Sequence, residues 1–381
     1  MLAYANCRYY FNDKNKIASM AVDSQIREII KNQGYITIDN MMREVLSLNK
    51  ESYYRSVKNI GAAGDFITAP EISQMFGEII GIWVTTKWQD LGKPAKIILL
   101  ELGPGQGILM RDILKTLRIT PELFQALKIC LYDINPYFIA KQKDNLEPYE
   151  KEIIWLNKID DIPASLPIIV IANEFFDALP IKQYIKIKDL WYESILAIDP
   201  ADGMIKFDKI EVHKTLQKQL LLDHPSAHDG AVVEESVESL DIIRLLASRI
   251  VKNTGSTLII DYGYNIDKAR SRRQYHSTLQ AVKGHKYSSI IDTLGEADLS
   301  AHVDFQGLAK AAHEYGIIES NISTQAEFLT KYGILHRLES LKNKAPGYSH
   351  VLERQLRRLI SEQEMGVLFK VLEFQYQLNS T

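Results

Sequence analysis

The sequence predicts an α/β fold with a mostly parallel, doubly wound sheet. Apolar segments with the length of buried strands follow one another, and helical spacing of apolar residues fills the intervals between the first three. The first segment ends in Glu101 and continues into Gly103, Gly105 and Gly107, after which helical spacing begins. A buried strand, a glycine turn and a helix form the unit at which such sheets bind nucleotide-like ligands. The predicted strands are 97–101, 127–132, 153–155, 168–172 and 257–262.

Helical segments flank this alternating core on both sides. Polar residues dominate the weakly periodic region 265–297, which predicts a long loop or an insertion. Segments 181–187 and 191–196 predict a hairpin-like pair of strands. We therefore expect an N-terminal helical region, 1–94, that packs on a core domain, 95–381, which carries the insertion and further C-terminal helices. The predicted helices are 17–34, 38–48, 70–88, 236–252, 305–315, 324–338 and 351–360.

The composition is that of a globular protein with no sign of a polyanionic partner. Of the 381 residues, 46% are hydrophobic and 24% are charged, and the formal net charge is −3. Nucleic-acid-binding proteins usually present a basic face, so we expect no nucleic-acid partner. No segment approaches the roughly 20 apolar residues of a membrane helix. Residues 1–16 lack the apolar core of a secretory signal, so we expect a cytoplasmic protein without membrane insertion. The sequence leaves the formation of an oligomer open.

The spacing of the glycines separates the ligands that such a turn can hold. A dinucleotide turn needs G-x-G-x-x-G, and Ile108 stands where its third glycine would be. A triphosphate loop needs G-x-x-x-x-G-K-[ST], which does not follow here. S-adenosylmethionine carries a sulfonium cation, an amino-acid end and a ribose but no phosphate, so a roomy turn beside a carboxylate suits it. Glu101 can meet the ammonium group of this cofactor, and a tight turn without a ligand is the alternative.

A second carboxylate stands where the ribose of such a cofactor would lie. Asp133 follows the strand segment 127–132 and precedes Pro136, at which we expect a helix to begin. In a doubly wound sheet, a carboxylate at this place accepts hydrogen bonds from both ribose hydroxyls. The structural alternative is an Asp that forms a turn or caps the helix.

Two further segments carry candidate chemistry. Asn173, Glu174 and Asp177 follow a buried strand, at the edge of the sheet where ligands bind. Two carboxylates beside aromatic residues suit a planar cationic group, although the same acids can begin a helix. Thr68 and Glu71 have the spacing of a capping box, and the same turn can line a pocket. The two cysteines have no C-x-x-C spacing, and we expect no metal.

Together these segments resemble the MidA family, because five strings occur in its order. That family comprises class I S-adenosylmethionine-dependent methyltransferases, whose mitochondrial members act as complex I assembly factors and methylate a protein arginine. The resemblance covers about residues 20–370 and implies a Rossmann-like methyltransferase core. It carries over Glu101, Gly103, Gly105 and Gly107 as cofactor-binding positions and the NEFFDALP residues as the floor of the active site. The strings are GDFITAPEISQMFGE, ELGPGQGILMRDIL, NEFFDALP, IDYGY and ADLSAHVDF.

Two positions depart from the family pattern. Asp133 stands where the family usually has Glu, which is a mild chemical change. Residues 279–285 read LQAVKGH where the family usually reads LRAYRRH, so the choice of protein target can differ.

The resulting hypothesis is a methyltransferase that uses S-adenosylmethionine to methylate an arginine of a protein substrate, such as a subunit of respiratory complex I. We predict Glu174 and Asp177 as the catalytic pair. We predict Asp133, Asn173 and Thr68 as cofactor-binding residues besides Glu101 and the three glycines. The alternatives are an assembly factor that binds the cofactor without turnover and a methyltransferase that acts on a small molecule.

Overall fold

The computed structural model describes residues 22–48, 68–265 and 275–377. Contacts divide the chain into two compact units. This division differs from the one expected at residue 94, because the helix Gln74–Asp90 shares its hydrophobic core with the strands and helices that follow it. Within the described residues, the core unit comprises 68–177, 239–265 and 303–377, and the second unit comprises 22–48, 178–238 and 275–302.

The core unit is built on an eight-stranded sheet, counted over the described residues. Numbered along the chain, its seven longer strands lie in the order β3-β2-β1-β4-β5-β7-β6. All neighbours are parallel except β7, which is antiparallel to both β5 and β6. The predicted α/β fold with a mostly parallel, doubly wound sheet is therefore confirmed. The strands are β1 (Ile97–Leu102), β2 (Leu127–Tyr132), β3 (Ile153–Leu156), β4 (Ile168–Asn173), β5 (Gly255–Tyr264), β6 (Ser320–Thr324) and β7 (Phe369–Tyr376).

The central strands are buried along their whole length and largely apolar, because both of their faces are covered. All six residues of β1 and all six of β4 are buried. A strand that is covered on both faces needs a continuous apolar run and not an alternating pattern. The strand segments predicted from such runs agree with β1 to β5 within three residues at every boundary.

Two long helices expected from periodicity are each divided in two. The predicted helix 70–88 consists of Ala69–Ile72 and Gln74–Asp90, separated by Ser73, whose backbone is extended and whose hydroxyl accepts the Met75 N–H at 3.3 Å. The predicted helix 324–338 divides into Gln325–Lys331 and Ile334–Lys344, because Gly333 adopts a φ of 94°. Apolar spacing continues through such breaks, so periodicity alone does not detect them. In the part of the chain that the structure describes, no helix is long and apolar enough to cross a membrane.

Helices cover both faces of the core sheet, and two of them approach closely. The helices Gln74–Asp90 and Ile108–Leu117 meet where two glycines lie in the first helix. A Cβ atom added at Gly77 would lie 2.6 Å from Asp112 Cβ, and one at Gly81 would lie 2.8 Å from Thr116 Cβ. Glycine therefore sets the separation of these helices. The remaining helices of the core unit are Pro121–Ala126, Pro136–Leu146, Val237–Asn253, Phe305–Glu314, Ser349–Ile360 and Met365–Leu368.

The second unit contains a five-stranded and a three-stranded antiparallel sheet. Lys182–Ile187 and Leu190–Ile198 pair in it as the predicted hairpin. Ile205–Glu211 and Val232–Glu235 are two strands that the sequence does not predict, and both are rich in charged residues. Ile205–Glu211 is largely exposed, and Val232–Glu235 is half-buried. Its helices are 22–33, Ile38–Arg43 with a π-helical turn at Glu44–Leu48, and Lys214–Asp223.

Part of the region expected to be a loop, 265–297, forms a β-hairpin. Gln280–Lys283 pairs with Lys286–Ser288, and Gly284 and His285 in the turn have φ values of 58° and 62°. Two consecutive residues with positive φ are typical of a two-residue hairpin turn, and glycine favours its first position. The expectation of a loop is wrong for this segment, and residues 266–274 lie outside the described residues.

We expect the ion pair between Arg337 and Glu78 to stabilise the core unit. Both guanidinium contacts measure 2.7 Å, and the Glu78 side chain is only 10% exposed. Arg337→Leu should lower the free energy of unfolding in urea by about 2 to 3 kcal/mol, because it leaves a largely buried carboxylate without its cation. Lys342→Leu is the control, since its partners Glu339 and Glu353 are exposed and such surface pairs contribute little to stability. Equal losses in the two variants would contradict the prediction.

Candidate functional site

The strand order reverses between β1 and β4, and the candidate residues lie at this reversal. β2 and β3 continue the sheet on one side of β1, and β5 continues it beyond β4. In the register, Leu102 of β1 is opposite both Tyr132 of β2 and Ala172 of β4. The three strands therefore end at the same level, and the segments that follow them begin at one edge. Open α/β sheets bind ligands at this point, outside the carboxyl ends of the strands.

The glycine turn after β1 is shaped by backbone that other residues rarely adopt. Gly103, Gly105 and Gly107 have φ values of 64°, 51° and 79°. A Cβ atom at Gly103 would lie 2.9 Å from the Phe175 ring, and one at Gly107 would lie 3.2 Å from Gln142. At Gly105, by contrast, no described atom lies within 4 Å of an added Cβ. Two of the glycines thus allow close packing, and the third borders open space.

Asp133 is tied to the glycine turn by Gln142. The Gln142 amide donates to Asp133 Oδ2 at 2.9 Å and to the Gly105 carbonyl at 2.8 Å, and it accepts the Trp155 indole N–H at 2.9 Å. The helix Pro136–Leu146 is capped by Asn135 and not by Asp133. Helix capping therefore does not explain Asp133. Gln142 is a buried polar residue in the middle of a helix, and no pattern in the sequence predicts its role.

Glu101 is almost completely buried, with 2% of its surface exposed. Its Oε2 atom has no hydrogen-bond partner among the described residues. Burial, together with the neighbouring Asp133 carboxylate, raises the pKa of Glu101 to about 8. Burial also raises the pKa of Asp133 to about 6, although hydrogen bonds from Asn135 and Gln142 lower it. Buried acids with perturbed pKa values and a free acceptor are typical of a ligand site.

The segment after β4 brings a second group of acids to the same edge. Glu174 has a φ of 50°, which is unusual for a residue other than glycine. Its Oε1 accepts the Ala69 N–H and the Asn173 side-chain amide, both at 3.2 Å. Burial and the nearby Asp177 carboxylate raise the pKa of Glu174 to about 8. Asn173 is 8% exposed, and within the described ranges its Oδ1 meets no donor.

Thr68 lies beside this group, but the predicted capping box is only half formed. Thr68 precedes Ala69, the donor to Glu174, and its side chain makes no capping hydrogen bond within the described ranges. The Glu71 carboxylate accepts the Thr68 backbone N–H and lies 3.5 Å from Gln106 of the glycine turn. Glu71 Oε2 is buried and has no partner among the residues that the structure describes. Helix capping thus accounts for Thr68 and Glu71 only in part.

Asp261 belongs to this edge although the sequence marks it only as an acid near the end of a buried strand. It lies in β5 and is fully buried. Its carboxylate accepts the backbone N–H groups of Phe176 and Asp177 at 3.0 and 3.1 Å. The position of an anchor between two strands depends on the tertiary fold, so no local pattern predicts it.

The described residues contain no group of three or more His, Cys, Asp or Glu side chains placed to hold a metal ion. His224 and His228, four residues apart in the second unit, each pack against the Tyr275 ring.

The fold and the edge define a protein of the kind that binds a nucleotide-like ligand at the carboxyl ends of parallel strands: Glu101 offers an acceptor without a donor among the described residues, Asp133 a carboxylate, and Gly105 open space. Residues 79–322 match the family model described as "Putative S-adenosyl-L-methionine-dependent methyltransferase". Because this match covers more than half of the chain, the chain belongs to that family, and the resemblance to the MidA family is confirmed. The protein is an S-adenosylmethionine-dependent methyltransferase.

Individual relatives extend the match over nearly the whole chain. "Protein arginine methyltransferase NDUFAF7, mitochondrial" of Danio rerio is 33% identical over 363 residues, which cover 88% of this chain and 82% of that protein. The Homo sapiens protein of the same name is 31% identical over 391 residues, with 94% and 85% covered. A crystal structure from Burkholderia thailandensis, bound to S-adenosyl-homocysteine, matches with a TM-score of 0.85 and 25% identity, covering 96% of this chain and 94% of that one.

Gly105→Val should weaken cofactor binding without a matching loss of fold. Gly92 is the control, because it also has a positive φ, 80°, and open space around an added Cβ. Both valine variants should lose similar stability, about 2 kcal/mol, from the strained backbone. Only Gly105→Val should raise the Kd for S-adenosylmethionine, by about tenfold or more, in isothermal titration calorimetry. Equal weakening by Gly92→Val would contradict this placement of the cofactor.

Cofactor binding should release protons at pH 7. Glu101 is mostly neutral there, because its pKa of about 8 lies above this pH, and a bound ammonium group favours its ionised form. Calorimetry in buffers of different ionisation enthalpy should detect the release, and the release should shrink towards pH 9, where Glu101 is already ionised. Glu101→Gln should reduce it, and the exposed control Glu122→Gln should not. Undiminished release from Glu101→Gln would exclude this role.

Proposed function

We propose that the protein methylates an arginine side chain of a protein substrate. The main support for this proposal is that the site contains buried oxygen acceptors without hydrogen-bond donors among the described residues. Glu71 Oε2 and Asn173 Oδ1 are buried acceptors that meet no donor among the described residues. A guanidinium group has five N–H donors and no acceptor, so it matches such a site. A phosphate or carboxylate substrate would meet these acceptors with repulsion.

Glu174 and Asp177 are the proposed catalytic residues. S-adenosylmethionine supplies an electrophilic methyl group on its sulfonium. A guanidinium stays protonated at neutral pH, and its nitrogen is a poor nucleophile until its charge is drawn to the other nitrogens. A carboxylate that accepts two N–H groups orients the guanidinium and localises its charge. Glu174, whose pKa burial raises to about 8, also suits acceptance of the proton that the methylated nitrogen releases.

The proposed cofactor residues divide by chemistry. Glu101 meets the ammonium group, and Asp133, held by Gln142, meets the ribose hydroxyls. Gly103, Gly105 and Gly107 give the turn its shape. Thr68 and Asn173 adjoin Glu174 and are proposed to border the cofactor on the side of the substrate.

The names of the relatives support arginine as the methyl acceptor. The Danio rerio and Homo sapiens proteins are both named protein arginine methyltransferases. The family resemblance extends the proposal to a subunit of respiratory complex I. The acid-rich edge disfavours nucleic acid as a substrate. The cytoplasmic location expected from the sequence stays a prediction, since both names also contain "mitochondrial".

Transfer of label from tritiated S-adenosylmethionine tests the proposal. Wild-type protein incubated with a cell lysate should label one or a few protein bands, and hydrolysis of these bands should yield labelled methylarginine. The initial rate should rise with pH towards about 8, because Glu174 is neutral below its pKa and ionised above it. Glu174→Gln should lower the rate by about 100-fold, with the Kd for the cofactor nearly unchanged.

Each alternative predicts a different result in the same experiment. Label confined to the low-mass fraction would indicate a small-molecule substrate. No incorporation despite normal cofactor binding would indicate an assembly factor without turnover. Full activity of Glu174→Gln would exclude the proposed role of that residue even if methylarginine were found.

A further inference from the structure

The buried carboxylate of Asp261 accepts hydrogen bonds from three backbone N–H groups. Its Oδ2 accepts the N–H groups of Phe176 and Asp177, and its Oδ1 accepts the Tyr262 N–H at 2.9 Å. None of its surface is exposed. The burial of a carboxylate is costly unless it is hydrogen-bonded, so these donors are needed to keep it there. An apolar residue would fill the end of β5 at lower cost, which indicates a role beyond packing.

The segment that Asp261 holds is the one that carries Glu174. Asn173 pairs with Ile260 of β5, and the Glu174 N–H donates to the Ile260 carbonyl at 2.9 Å. The next two donors to β5, from Phe176 and Asp177, both reach Asp261. Glu174 itself has a φ of 50°. A non-glycine residue stays in this conformation only where its surroundings fix it, and such strain is concentrated at active sites.

We propose that Asp261 is a positioning residue for methyl transfer, which fixes the backbone from Glu174 to Asp177. The proposal rests on the proposed function for the roles of Glu174 and Asp177. Asp261 acts through these residues and does not itself contact the substrate. A displacement of about 1 Å in such a segment can lower a rate 100-fold, because the reacting atoms must be aligned.

Asp261 lies among other carboxyl groups, and their ionisation decides how its role can be tested. Burial, and then the carboxylates of Asp177 and Glu174, raise the pKa of Asp261 well above its usual range, while its backbone donors lower it. On the other neighbouring strand, Lys370 is opposite Asp261 in register, but its ammonium group donates to the Val367 carbonyl. The carboxyl groups at this edge therefore interact mainly with one another. Asp261 is not among the groups that raise the pKa of Glu174, so the loss of its carboxyl group should leave the titration of Glu174 in place.

Asp261→Asn replaces one acceptor oxygen with an N–H donor group while it preserves the shape of the side chain. The kcat for label transfer should fall about tenfold or more, the Kd for S-adenosylmethionine should change less than threefold, and the rising limb of the pH profile should keep its position. A general loss of structure would instead weaken cofactor binding together with kcat. Thr257→Val is the control, since it replaces another fully buried polar side chain of β5. An unchanged kcat, or a Kd that rises as steeply as kcat falls, would overturn the proposal.

Asp261→Ala tests the anchoring without an assay of activity. In amide hydrogen exchange, the Phe176 and Asp177 amides should exchange about tenfold faster or more, and the Ile259 and Ile260 amides should keep their protection. Continued protection of Phe176 and Asp177 would overturn the proposal. If this variant does not fold, the same two amides are compared in Asp261→Asn together with its kcat and Kd. Should the wild-type protein label no acceptor at all, the proposed function fails, and the exchange result alone decides the anchoring.

Discussion

Buried carboxyl groups that are met by backbone and amide donors hold the carboxyl edge of the core sheet together. Asp261 accepts three backbone N–H groups, and Asp133 accepts the Asn135 N–H and the Gln142 amide. Glu174 accepts the Ala69 N–H from a segment about a hundred residues earlier in the chain. Asp261 and Glu174 join segments that are distant in sequence, and Asp133 holds the turn after β2 to the helix that follows it. Without these donors, the desolvated acids would destabilise the edge, and the segments that carry the site would lose their fixed positions.

These hydrogen bonds do not offset the burial of every acid, and the site therefore favours a cationic ligand. Glu101 and Glu174 both have a pKa raised to about 8, since burial penalises their ionised forms. Such a site is strained when it is fully ionised and relaxed when a cation enters. A sulfonium cofactor with an ammonium group and a guanidinium acceptor would each supply positive charge. The burial that makes ionisation of these acids unfavourable therefore also favours the binding of the proposed cationic reactants.

In the second unit, residues 279–285 differ from the family pattern at a place where the backbone makes a tight turn. Residues 279–285 depart from the pattern LRAYRRH, and within them Val282 is buried while Gly284 and His285 make a hairpin turn with positive φ. Glycine at position 284 suits this turn better than arginine does. The change at position 284 therefore has a structural reason, in addition to any effect on the choice of protein target.

The sequence by itself determined the class of the fold and the cofactor, and it predicted the main ligand positions. Continuous apolar runs marked β1 to β5, because central parallel strands are covered on both faces, and the glycine spacing with Ile108 excluded a dinucleotide. The tertiary structure alone decided that Gln142 ties Asp133 to the glycine turn and that Asp261 holds the segment after β4. It also decided that apolar spacing through Ser73 and Gly333 belongs to divided helices. These features depend on which distant donor meets which buried acceptor and on single backbone angles, and local periodicity carries no information about either.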